Sequence, residues 1–132
     1  MKKDIENRND IELLVNTFYH KIMMDEELGY IFQEKAMINW QTHLPTMISF
    51  WENMVLFTGN YEGNPMNLHR HLHHIAPLHP SHFDKWNQLF LQTVNELFEG
   101  EKARLAKERT ISISAIIQDK VSLAKQSGKD IY

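Results

Sequence analysis

The amino-acid sequence predicts an all-α protein. Apolar residues recur at helical spacing in several long segments, strand signals are weak throughout, and cap and breaker residues stand where those segments start and stop. Helices with one apolar stripe each can bury those stripes only against one another, which sets the class.

The first helix follows Asn9 and Asp10, whose side chains can accept from the free N–H groups of a helix start. Ile11, Leu14, Val15, Phe18 and Ile22 form its inner face. Leu28-Gly29-Tyr30-Ile31-Phe32 is a compact apolar corner broken at Gly29. A second long segment runs from about Met37 to Phe57, with His43, Met47, Phe50, Trp51 and Met54 on one face. Proline is tolerated in a first helical turn, so Pro45 puts the regular start of that helix near Thr42.

Residues 58–68 hold Gly59, Asn60, Gly63, Asn64 and Pro65 and read as a loop. A short irregular helix spans Met66 to about Ile75, and Pro77 and Pro80 punctuate the next loop. Ser81 with Asp84 three residues on resembles a capping box. Phe83, Trp86, Leu89, Phe90, Val94, Leu97 and Phe98 then mark an amphipathic helix that Gly100 ends. The last helix runs from Glu101 to Gln126, with Ala106, Ile113, Ile116, Ile117, Val121 and Ala124 inside and Gly128 as the stop.

Composition narrows the function. The 132 residues suit one domain, 1–132, and 42% apolar with 23% charged residues is ordinary for a globular chain with a real core. The net charge is −3, and Lys102, Arg104, Lys107 and Arg109 interleave with Glu101 and Glu108 as on a solvated helix face. There is thus no basic stripe for nucleic acid. No apolar run is long enough to span a bilayer, and residues 1–10 carry no secretory pattern, so a cytoplasmic location is expected. The absence of cysteine excludes disulfides, thiolate metal sites and covalent haem attachment.

Eight histidines and three tryptophans are the oddity, and six of the histidines fall between His69 and His82. Taken singly, the residues are ambiguous. His43 opens an aromatic-rich face and reads equally as a satisfied or exposed histidine. Tyr19 reads as a core tyrosine whose hydroxyl needs a partner, and Trp86 and Phe83 read as core. His69 and His73 lie one turn apart, a two-ligand geometry, which leaves open a non-haem metal-binding or sensing module built on His69, His71, His73, His74, His79 and His82. No carboxylate within the cluster completes a compact site. A cofactor-free helical domain binding a protein partner is a third reading.

Several linked pieces, in order and at fitting separations, carry a resemblance. They are Phe18-Tyr19, Phe32, Trp40-Gln41-Thr42-His43, Phe50-Trp51, Tyr61-Glu62-Gly63-Asn64-Pro65-Met66 with His69 three residues on, His82-Phe83 with Trp86, and Thr93-Val94 through Leu97-Phe98-Glu99-Gly100. From about Ile11 to Val121 the sequence resembles the truncated haemoglobins, specifically group III.

The resemblance implies a shortened globin fold, two pairs of helices sandwiching a non-covalent haem b. It implies His69 as the iron ligand beneath the haem, with His73 as the fallback; a neutral imidazole is the usual globin ligand. It places Tyr19, His43 and Trp86 on the opposite, ligand-facing side, and Phe32 against the haem plane. Met47, Phe50, Trp51, Met54, Leu72, Phe83, Phe90 and Ile116 are expected apolar contacts, and Arg70 is either solvated or paired with a propionate. The implied partners are diatomic gases, oxygen, NO and CO, with an unidentified reductase or electron donor, in a monomer or weak dimer. Tyr19 and Trp86 are donors, so high oxygen affinity with slow release is expected, suited to NO or peroxide chemistry more than bulk transport. His43 could also reach the iron as a sixth ligand. No distal arginine is evident, so any peroxidase turnover is expected to be weak.

Overall fold

The computed structural model describes residues 2–30, 40–58 and 80–127, with side chains described as far as residue 119. Every regular element among these residues is a helix: α1 (Arg8–Met24), α2 (Glu26–Tyr30), α3 (Trp40–Leu56), α4 (Pro80–Leu97) and α5 (Glu101–Ser127). The expected loop at 58–68 and the short helix at 66–75 lie outside the described residues, apart from Thr58.

α1 starts one turn earlier than the sequence suggests. Asn7 is the cap: its side chain accepts from Asp10 N–H at 3.1 Å. Asp10, expected as a cap, lies inside the first turn and reaches backwards to accept from Glu6 N–H and Lys3 Nζ, both at 2.8 Å. A carboxylate there also complements the positive end of the helix dipole. Ile11, Leu14, Val15, Phe18 and Ile22 are all buried, as their spacing requires.

α3 begins at Trp40 rather than Thr42 and carries Pro45 in its second turn. Proline there has no N–H to give the carbonyl one turn back. The helix ends where Phe57 turns left-handed at φ 57°, with Lys102 Nζ 4.7 Å from the centre of its ring. α4 begins at Pro80, the first helical position, where a missing N–H costs nothing. Ser81, expected as its cap, is already inside the first turn.

α1 packs on α3 and α4, α4 on α5, and α3 on α5, so α1 and α3 lie over the α4–α5 pair. The centre is aromatic. Phe18 meets Trp86 and Phe90 edge-on at 4.8 and 5.1 Å, and Phe90 stacks on Trp51 at 4.7 Å. Such rings supply large buried area and orientation-dependent attraction.

The N-terminal segment closes one end of the bundle. Asp4 accepts from Lys102 N–H and Ala103 N–H, both at 2.9 Å, and so caps α5 from 98 residues away. Glu99 N–H donates to Lys3 O at 3.0 Å. Gly100 lets the chain pass: its φ is 144°, and a side chain there would meet Asp4 Cγ at 2.5 Å.

Candidate functional site

Tyr19 stands between the other polar residues. It comes from the inner face of α1, His43 from the first turn of α3, and Trp86 from the second turn of α4. The Tyr19 hydroxyl and His43 Nε2 lie 3.2 Å apart, within hydrogen-bond distance. Their ring centres are 5.3 Å apart, and Trp86 approaches Tyr19 edge-on at 5.8 Å. His43 is only 4% exposed. A buried tyrosine needs a polar partner, and the histidine of the facing helix supplies one.

Burial pushes the Tyr19 hydroxyl pKa far up. The phenol therefore keeps its proton across the physiological range and always has one O–H to donate. The site can thus present hydrogen-bond donors inside an apolar wall, where they are worth more than in water.

Trp40 belongs to this group, although its sequence position was read only as part of a motif. Its ring lies 5.3 Å from Tyr19 and 5.5 Å from His43, edge-on to both. The signal was available: residues 40, 43 and 47 share one face of a helix.

The expected apolar contacts divide. Met47 is buried one turn beyond His43, and Phe83 is buried at the start of α4. Phe50 and Met54 are half-buried against the core. Trp51 and Phe90 are engaged with each other in the centre of the bundle. His69, His73, Arg70, Leu72 and Phe32 lie outside the described residues, as do His71, His74 and His79. His82 sits on α4, with Nε2 3.6 Å from Glu27 Oε2. Among the described residues no group of three His, Asp or Glu side chains could hold a metal ion.

Ile116 requires a correction. The sequence reading places both Ile116 and Ile117 inside; Ile117 is buried, but Ile116 is 53% exposed. Helical register explains this. Ala103, Ala106, Thr110, Ser114 and Ile117 form the buried stripe, and Asn87 of α4 bonds Ser114 Oγ at 2.8 Å across it. Ile116 is a third of a turn away, on the flank shared with Lys102 and Ile113. Lys102 lies over Phe57 at the end of α3, so this flank faces the α3 side of the bundle rather than α4.

Two helix pairs stacked across an aromatic core, with a tyrosine, a histidine and a tryptophan converging from α1, α3 and α4, make a globin of the shortened kind; the chain belongs to the bacterial-like globin family, whose model matches residues 4–119. Within that family its resemblance is to the group III truncated haemoglobins. It is 29% identical over 122 residues to the group 3 truncated hemoglobin ctb of Campylobacter jejuni, spanning 90% of this chain and 94% of that protein. The crystal structure of the group III truncated hemoglobin from Campylobacter jejuni matches with a TM-score of 0.76 at 28% identity, over 92% of this chain and 95% of that one. Membership of the globins implies haem and its iron. The chemistry of the described residues fits such a group: a buried, protonated phenol and a buried imidazole meet at 3.2 Å among aromatic rings. No helix among the described residues is long and apolar enough to cross a membrane.

Proposed function

We propose that this globin holds haem b non-covalently through His69, binds oxygen, NO and CO with high affinity, and serves NO or peroxide detoxification or related redox chemistry rather than bulk transport. The observation that carries the reading is the 3.2 Å approach of Tyr19 to His43 beside Trp86 in a buried aromatic setting. Haem iron supplies the position at which a diatomic molecule binds and the electrons for redox chemistry.

The chain's own residues do the rest. Tyr19 keeps its proton because burial disfavours the phenolate, so it faces a ligand as a donor. Its hydroxyl lies 3.2 Å from His43 Nε2, and the imidazole tautomer sets which of the two donates and so how fully the phenol proton serves a molecule lodged beside it. Trp86 offers a second donor, its indole N–H. A hydrogen bond is worth about 1 kcal/mol net and more to a charged acceptor, so two donors slow release by roughly one to three powers of ten. Met47 and Phe83 keep the surroundings apolar, which strengthens those bonds. His43 and Tyr19 form a proton-sharing pair that can serve weak peroxide chemistry, for which an electron donor must be supplied by a reductase.

The test is the absorption spectrum of the purified chain titrated with hemin, reduced with dithionite and then exposed to CO, for wild type and His69→Gly. The reading expects an intense Soret band that shifts with CO, its weakening in His69→Gly, and recovery with added imidazole. A chain with which added hemin keeps the broad spectrum of free hemin, or a His69→Gly variant with the wild-type spectrum, overturns it.

A further inference from the structure

The corner between α1 and α2 is tied to the first turns of α4 by an ion pair and a second polar contact that the site described above does not use. Asp25 stands at that corner. Its N–H closes α1 on Lys21 O and Ile22 O, and its Oδ2 accepts from Leu28 N–H at 3.0 Å and Glu27 N–H at 3.2 Å to start α2. Its Oδ1 lies 3.2 Å from Lys85 Nζ, and the carboxylate is only 12% exposed. Two residues on, Glu27 approaches His82 of the same α4 turn at 3.6 Å.

The corner is a firm anchor. A side chain at Gly29 would come within 2.6 Å of the Met23 carbonyl oxygen, so α2 lies directly against the end of α1. The tethered residues also bracket the site. Lys85 immediately precedes Trp86, and His82 lies one turn before Trp86 on the same face of α4. Trp86 in turn rests on Phe18 and Tyr19, both on α1. One helix therefore sets both ends of the relationship: α1 carries Tyr19, and through Asp25 it holds the segment that carries Trp86.

We propose that Asp25 and Lys85 are positioning residues for the Trp86 indole, their ion pair setting how the indole is presented beside Tyr19 and so how strongly it donates to a bound diatomic ligand. This rests on the haem-globin reading given above. Lys85 is partly exposed, and such a pair contributes little to stability. Its effect is on geometry, where a small displacement of a donor weakens a hydrogen bond steeply.

The experiment uses the full chain loaded with haem and CO, reading the infrared C–O stretch and the ligand release rate. Lys85→Met is compared with Asp25→Asn, Lys85→Arg, Trp86→Phe and the double variant Lys85→Met/Trp86→Phe. The proposal expects Lys85→Met and Asp25→Asn to shift the stretch in the direction of Trp86→Phe and to speed release by roughly two- to tenfold. It expects Lys85→Arg to restore the wild-type stretch, and the double variant to match Trp86→Phe alone, as residues acting through one another do. A wild-type stretch and rate in Lys85→Met, beside a clear shift in Trp86→Phe, overturns the tether and leaves the haem reading standing. No shift in Trp86→Phe overturns both the donor role and the tether, and a chain that takes up no haem overturns the reading on which both rest.

Discussion

The Tyr19 hydroxyl meets His43 Nε2 at 3.2 Å, joining α1 to α3 through two side chains that are both almost wholly buried. In the proposed haem-globin reading this contact governs how a ligand is held: where His43 Nε2 accepts, it and the ligand compete for the one phenol proton.

Tyr19→Phe removes the donor while keeping the ring that packs against Phe18 at 5.1 Å. Oxygen release from the haem-loaded protein should quicken by roughly tenfold, the value of about 1.4 kcal/mol. Stopped-flow release rates for wild type and variant check it, and equal rates would rule out the donor role.

Phe90 tests the aromatic centre. It is fully buried, edge-on to Phe18 and stacked on Trp51, so it links α4 to both α1 and α3. Phe90→Ala should cost about 3–5 kcal/mol through lost burial and the cavity left behind. Urea unfolding measures this, and a cost below about 1 kcal/mol would show that the core does not pack as described.

Gly100 tests the closure of the bundle by the N-terminal segment. At φ 144° an L side chain is strained, and a Cβ would stand 2.7 Å from Asp4 Oδ2, the atom that caps Lys102 N–H. Gly100→Ala should cost about 2–3 kcal/mol, combining backbone strain with a displaced cap. In a domain of this size that lowers Tm by roughly 5–15 °C, and an unchanged melting curve would contradict the contact.

Acid should loosen the same closure. Partial burial by itself would raise the pKa of Asp4, but the N–H groups of Lys102, Ala103 and Ile5 outweigh it and hold the carboxyl below its ordinary 3.8. Asp10 is likewise lowered, burial being outweighed by Lys3 and the N–H of Glu6, and Asp25 by the N–H of Leu28 and by Lys85. A carboxyl held low in the fold and at its ordinary value when unfolded stabilises the fold above that ordinary value. The contribution is therefore full near neutral pH and is lost as pH falls through about 4 and below. Denaturant unfolding from pH 7 to pH 3 should show stability falling, and a smaller fall in Asp4→Asn would identify its share. An identical slope in that variant would exclude Asp4.

Much of this structure was legible in the residues. The inner faces of α1, α3 and α4 follow from spacing, since a 3.6-residue repeat needs only the chain's local order to be read. The resemblance implies Tyr19, His43 and Trp86 on one side of the fold, and the structure brings Tyr19 against both of the others. Boundaries were less legible. Asn7, Asn9 and Asp10 are chemically equivalent as caps, and only the path of residues 2–6, which turns Asp10 back onto Lys3 and Glu6, separates them. Spacing puts Trp40 on the helix face of His43 and Met47, but that its ring meets Tyr19 depends on how α3 crosses α1.

By itself the sequence determined the helical class and which residues point inward on most helices, because periodicity acts within a turn or two of chain; the trio Tyr19, His43 and Trp86 is what the resemblance to the truncated haemoglobins implies. Only the tertiary structure decided which residues meet across helices. It pairs Tyr19 with His43, sends Asp4 to cap a helix 98 residues away, joins Asp25 to Lys85, and leaves Ile116 exposed. The physical reason is that such contacts depend on where whole helices cross, and a crossing is the joint outcome of every buried face packing at once.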